Sequence, residues 1–233
     1  MIQAIFYDFN GVIIDDEPLQ MAAYQEVLSG HRIELSAADY SGALGMDDQT
    51  FVRAAFARAQ KSLSDEVLQH LLAEKAIRHR KFFENELPLF PGVETFLKAS
   101  ARHFSLGLVS MATLAEIDYV LERARLRSLF AVIVSAADVS VCKPAPDCYR
   151  IGLEKLNEQR RAEQLLPLLP SRCLAIEDSP PGIEAGRAAG MRTLGLTNTV
   201  SATQLRAAGA EVVSANLADW TSEAIRRVYG RVE

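Results

Sequence analysis

The strongest constraint in this chain is a change of rhythm after "LPLFPGV". From Pro88 onward, short apolar runs of strand length alternate with segments of helical period. The runs are FSLGLVS (104–110), AVIVS (131–135), CLAIED (173–178), RTLGL (192–196) and EVVS (211–214), and the first 2–7 (IQAIFY) is of the same kind. Strands separated by helices must run parallel, because each connection carries the chain back across the sheet. The fold class expected is therefore α/β, a doubly wound parallel sheet covered on both faces. Helices are predicted over 113–125, with Leu114, Ile117, Leu121 and Ala124 on one face, and over 181–189, with Gly190 as C-terminal cap. The charged run EQRRAEQ (158–164) reads as a solvated surface excursion.

Between Asp15 and about Leu87 nothing reads as a strand. Leu19, Ala22, Ala23 and Val27 share a helical face, and Ser36 with Asp39 forms a capping-box pattern. Val52, Ala55, Phe56 and Ala59 keep the helical period, and Ser64 is an N-cap for a further helix with Leu68, Leu71, Leu72 and Phe82 on its apolar face. The domain organisation predicted is a core of 1–14 and 88–233 interrupted by a helical cap of 15–87, with hinges near Asp15–Pro18 and Leu87–Pro91.

Composition narrows the function classes. A formal charge of -5 with no basic stripe argues against nucleic acid as a partner. No stretch approaches the roughly 20 apolar residues of a membrane span. Polar Asp8 and Asn10 interrupt the N-terminal apolar run, so a signal peptide is not expected and a cytoplasmic location is. The three cysteines, Cys142, Cys148 and Cys173, form no CxxC pair, and the four histidines show no zinc spacing. A metal here would take oxygen ligands.

In open α/β sheets ligands collect outside the carboxyl ends of the strands. Four polar sites fall at such ends or in the loops just after them: Asp8 with Asn10, Ser110, Lys143 in "CKPAP", and Glu177 with Asp178 in "AIEDSPPG". Together they describe phosphoryl transfer. A carboxylate such as Asp8 can attack phosphorus, and Mg²⁺ needs only one or two protein carboxylates, for which Asp8 and Asp178 suffice. Lys143 would neutralise charge on the transferring group, and the Ser110 hydroxyl would hold a phosphate oxygen.

The stretches "DFNGVIIDDEP", "LVSMA", "CKPAPDCY" and "IEDSPPGIEAGRAAGM" resemble the four motifs of the haloacid dehalogenase superfamily of phosphatases and mutases. The likeness covers nearly the whole chain and is closest to the group of β-phosphoglucomutases and sugar-phosphate phosphatases. It implies Asp8 as nucleophile, Ser110 and Lys143 as phosphate contacts with Met111 beside them, and Mg²⁺ held by Asp8, the Asn10 carbonyl and Asp178, with Glu177 in the metal shell. It implies as substrate a small phosphorylated metabolite and suggests a monomer.

Three positions depart from that pattern. Position 10 is Asp in such phosphatases and mutases, where it exchanges protons with the leaving oxygen and the attacking water. Asn10 keeps the carbonyl but has no titratable proton, so activity is expected to be weakened, and Asn10→Asp is expected to restore it. Gln20 stands where hexose-phosphate mutases carry His, and Asp48 about where they carry Arg, which argues against a mutase. Glu17, Gln20, Asp48 and Lys75 are the candidate substrate contacts of the helical insertion. Lys75 reads equally as a solvated surface residue, and His79 as a surface one. A phosphatase is the leading expectation, and a catalytically impaired phosphometabolite-binding protein the alternative.

Overall fold

The computed structural model describes residues 1–230. Its centre is a sheet of six parallel strands in the order β3-β2-β1-β4-β5-β6. The strands are β1 (Ala4–Tyr7), β2 (Ser105–Val109), β3 (Phe130–Val134), β4 (Cys173–Glu177), β5 (Arg192–Leu196) and β6 (Val212–Ser214). Each lies within two residues of the run read from sequence.

Pleating sends alternate side chains to opposite faces. Ile5 and Tyr7 enter one apolar layer with Phe96, Ile117, Leu121, Ile225 and Tyr229. Ala4 and Phe6 enter the other with Cys148, Tyr149, Leu153 and Ala185. Helices α5 (Val93–Ser100), α6 (Leu114–Arg123) and α10 (Ser222–Tyr229) supply the first layer, and α7 (Asp147–Ala162) and α8 (Pro180–Ala188) the second. A short α9 (Ala202–Ala207) covers the β5–β6 end through Leu205. All four β1 residues are buried, as a strand covered on both faces must be.

Helices α5, α7, α9 and α10 have no counterpart in the sequence reading. The EQRRAEQ run is exposed, as expected, but its first five residues are the last turns of α7 rather than an excursion.

Between β1 and α5 lie four helices, α1 (Glu17–Ser29), α2 (Ala37–Ser41), α3 (Asp48–Arg58) and α4 (Asp65–Lys81). Ser36 and Asp39 form the capping box read from sequence, and Ser64 caps α4 by accepting from the Val67 N–H. These helices close around their own apolar cluster of Tyr24, Val27, Leu28, Phe51, Val52, Phe56, Leu68 and Leu71. Phe82 falls at the end of α4 and is exposed. Its neighbour Phe83 is the buried one. Two crossings join this segment to the sheet, and backbone pairing ties them together: the Asp15 N–H donates to the Pro88 carbonyl at 2.7 Å, and the Phe90 N–H to Ile13 at 3.1 Å. No described helix is long and apolar enough to cross a membrane.

Candidate active site

The strand order reverses direction of travel between β1 and β4, and the carboxyl ends of these two strands open onto a crevice. Asp8 follows β1 and Asp178 follows β4. Their loops are held together by the Asp8 N–H donating to the Ile176 carbonyl at 3.0 Å. Gly11 completes the turn with φ +71°, and a Cβ there would lie 1.9 Å from Asp178 Oδ2. Only glycine satisfies both the left-handed backbone and that approach.

Lys143 joins the ends of three strands. Its Nζ lies 2.9 Å from Asp8 Oδ2, donates to Glu177 Oε1 at 2.7 Å, and reaches the Val109 carbonyl at 3.4 Å. Burial disfavours its charge, but Asp8 and Glu177 outweigh burial and hold the ammonium above its ordinary range. Asp8 Oδ1 accepts from the Phe9 N–H at 2.7 Å, so the orientation of this carboxylate is fixed at both oxygens. Ser110, after β2, accepts from the Ala112 N–H at 3.0 Å and lines the same cleft with Met111.

Asp8, Glu177 and Asp178 bring carboxylate oxygens within 4.8 Å of one another. Asp178 Oδ2 and Glu177 Oε2 are buried with no hydrogen-bond partner. Burial first, and Asp8 next, push Glu177 up to about 8 and Asp178 well above the usual carboxylate range. Orphaned buried oxygens beside a third carboxylate fit a small hard cation, which would satisfy them and reverse those shifts. Glu177 Oε1 is taken by Lys143 and by the Tyr149 hydroxyl, which leaves Oε2 as its one free oxygen.

Asn10 faces away from proton chemistry. Its Nδ2 donates to Asp16 Oδ2 at 2.7 Å, and the same oxygen accepts from Gln20 Nε2 at 3.0 Å and lies 3.0 Å from His79 Nε2. Asp16 is wholly buried and was not singled out in the sequence. Nor is His79 a surface residue: it is 2% exposed, between Asp16 and Glu116. Burial disfavours its protonated form, but those two carboxylates raise its pKa above the ordinary value.

The cleft runs from Asp8, Asn10, Ser110, Lys143 and Asp178, past Glu17, Gln20 and Tyr40, to a far end of Tyr24, Asp48 and Glu116. Burial, and then Asp16, raise Glu17 to about 7 although the Tyr40 hydroxyl donates to its Oε2 at 2.7 Å. Lys75 is not on the cleft wall. It is 1% exposed and bonded to Asp48 and Glu116, which rules out the solvated reading. Tyr24, Tyr40 and Glu116 were missed in the sequence. Thr113 and Glu116 have capping-box spacing, and the structure confirms that box at the start of α6.

The α2–α3 loop lies over the core side of the cleft. Gly45 (φ +85°) approaches so closely that a Cβ would meet Pro181 Cβ at 2.8 Å and Lys143 Cβ at 3.2 Å, and the Asp47 N–H donates to Cys142 Sγ at 3.4 Å.

Comparison with known proteins agrees with this geometry. The family profile of haloacid dehalogenase-like hydrolases matches residues 2–190. YhcW of Bacillus subtilis is 31% identical over 87% of this chain and 87% of its own. Hexitol phosphatase B of Escherichia coli K12 is 29% identical over 83% and 82% respectively. The crystal structure of β-phosphoglucomutase from Clostridium difficile superposes with a TM-score of 0.84 at 22% identity, covering 99% of this chain and 98% of that one, a likeness of fold. With the profile spanning the turn after β1, the Lys143 loop and the acidic pair at 177–178, the chain belongs to the haloacid dehalogenase-like hydrolase family.

Proposed function

We infer that this chain hydrolyses phosphate monoesters of small polyhydroxylated metabolites through an aspartyl-phosphate on Asp8. The observation that carries this reading is Asp8 itself, held at one oxygen by the Phe9 N–H and at the other by Lys143 2.9 Å away, on the wall of a polar cleft. A relative named for hexitol phosphate hydrolysis supports the substrate class.

Asp8 attacks phosphorus, the ester P–O bond breaks, and the alkoxide leaves with a proton taken from solvent water. Water then attacks the acyl phosphate, releasing orthophosphate and the free carboxylate, and its proton passes to solvent. Lys143 stabilises negative charge on the transferring group, and Ser110 holds one of its oxygens. Asp8, the Asn10 carbonyl and Asp178 would hold Mg²⁺, with Glu177 behind them. The ion would supply electrostatic stabilisation of the phosphoryl oxygens. Residues 15–87 form the cap, which excludes water from the cleft when it lies against the core.

Asn10 supplies no proton to the leaving oxygen, and this favours a second reading, a phosphometabolite-binding protein with residual turnover. A phosphate-release assay over sugar phosphates and 4-nitrophenyl phosphate, with and without Mg²⁺, separates the two. Hydrolysis that requires Mg²⁺ and disappears in Asp8→Asn supports the enzyme. Binding without release in every case supports the second reading.

A further inference from the structure

The far end of the cleft is rich in carboxylates and poor in cations. Asp48 and Glu116 line it and Glu17 stands on the approach to it, whereas Lys143 is the only basic residue on any part of the described wall and is engaged by Asp8 and Glu177. Lys75, the cation that pairs with both Asp48 and Glu116, is already fully occupied. Its ammonium donates to both oxygens of Asp48, at 3.1 and 2.9 Å, and to Glu116 Oε1 at 3.2 Å, and it lies 5.1 Å from the centre of the Tyr24 ring. Asp48 reaches the cleft while Lys75 is buried behind it.

Asp48 opens α3, where the helix N-terminus favours a negative charge, and the Tyr24 hydroxyl donates to its Oδ1. The carboxylate is thus held in place by three elements, α1, α3 and α4. We propose that Asp48, by holding Lys75 away from the cleft, makes this site select phosphate monoesters whose far end carries hydroxyls rather than a second anion. This rests on the reading of the cleft as a phosphate-ester site.

The physical argument is one of complementarity. A second phosphate at the far end would face the carboxylates of Asp48 and Glu116, with their shared cation buried behind them, and could reach Lys75 only by displacing Asp48. Juxtaposed like charges discriminate strongly against such a ligand. Hydroxyl groups meet the opposite situation. They donate to carboxylate oxygens, including the Glu17 oxygen that Tyr40 leaves free, and the Gln20 side chain lies on the same wall. The rings of Tyr24, Tyr40 and Phe51, clustered at this end, give the carbon skeleton an apolar surface.

The test is calorimetric binding of fructose 1-phosphate and fructose 1,6-bisphosphate to the full chain carrying Asp8→Asn, with Mg²⁺ present, so that phosphoryl transfer does not consume the ligand. The monophosphate is expected to bind tighter by about tenfold or more. Adding Asp48→Asn releases Lys75 toward the cleft and should shrink that ratio by about tenfold, and adding Lys75→Met as well should cancel the bisphosphate's gain. Equal or tighter binding of the bisphosphate with Asp48 intact overturns the proposal, and this comparison decides even where Asp48→Asn fails to fold. A ratio unmoved by a folded Asp48→Asn overturns it too. If neither ester binds, the phosphate-ester reading falls and the proposal with it, whereas a monophosphate that binds no better than the bisphosphate sinks the proposal alone.

Discussion

The side-chain amide of Asn10 donates to Asp16 Oδ2 at 2.7 Å, inside a buried cluster that Gln20 and His79 complete. The acidic group expected at position 10 is absent, and a carboxylate stands one hydrogen bond away. The two residues form a matched pair, since an amide can donate to a carboxylate where a second carboxylate could not.

That pairing changes what Asn10→Asp should do. Two carboxylates this close, one of them wholly buried, do not readily ionise together. The single variant is therefore expected to gain less than about tenfold in kcat, although acid–base catalysis is typically worth ~10²–10⁴-fold. Exchanging the pair, Asn10→Asp with Asp16→Asn, should recover about 10²-fold. Steady-state rates on an alkyl phosphate for the four proteins of the cycle measure the coupling. Full recovery in Asn10→Asp alone would show that Asp16 exerts no such constraint.

A second expectation concerns the metal. Asp178 Oδ2 is a buried oxygen without a partner, so Asp178→Asn should weaken Mg²⁺ binding by about tenfold or more. The same change should raise the thermal midpoint of the metal-free protein, because it removes a carboxylate crowded by Asp8, Glu17 and Glu177. Calorimetry and thermal melts read the two effects separately. Unchanged Mg²⁺ affinity would remove Asp178 from the ligand set.

Glu17 gives the pH dependence a sign. Burial and Asp16 raise its pKa from 4.5 to about 7, so over that window the native state holds a proton that the unfolded chain has released. Its contribution to stability is complete below 4.5 and is lost as pH rises through about 7. The metal-free midpoint should fall across this interval, and Glu17→Gln should flatten the fall. An equally steep fall in the variant would assign it to other groups, such as Glu177.

Gly45 tests the contact between the helical segment and the core. Gly45→Ala places a Cβ against Pro181 and Lys143 and forces an L-residue into the left-handed region, a cost of roughly 1–2 kcal/mol. KM should rise more than stability falls, because the loop must lift from the cleft to accommodate the methyl group. Kinetics and urea unfolding on the same preparation give the comparison, and an unaltered KM would mean that the contact has no part in substrate binding.

The sheet was readable because buried parallel strands are short, continuous apolar runs, and the first four end in a polar residue or a polar loop that lines the crevice. Asp8, Ser110, Lys143 and Asp178 were found by that rule alone. The buried ions were not, because their partners are distant in sequence: Lys75 pairs with Asp48 and Glu116, and His79 with Asp16 and Glu116. One clue was present. Leu68, Leu71, Lys75 and His79 follow a spacing of 3, 4 and 4, which continues the apolar face of α4 into its polar end. The face was legible, but charge had been read as exposure. Helix α10 was passed over for a related reason: Ile225 and Tyr229 are few among many polar neighbours, yet they are the residues that reach the core.

The position of β1 has a consequence for the newborn chain. Asp8 follows this first strand, and the strand's two neighbours in the sheet come from residues 105–109 and 173–177. During synthesis from the N-terminus, helices α1 to α4 can gather around their own cluster as soon as they emerge, since their contacts are comparatively local. Strand β1 must instead wait, apolar and with an open edge, until residues 173–177 have been translated. The earliest-made strand is thus among the last to be enclosed on both sides, and a ribosome stalled before β4 would hold a finished helical unit tethered to a strand with one edge still open.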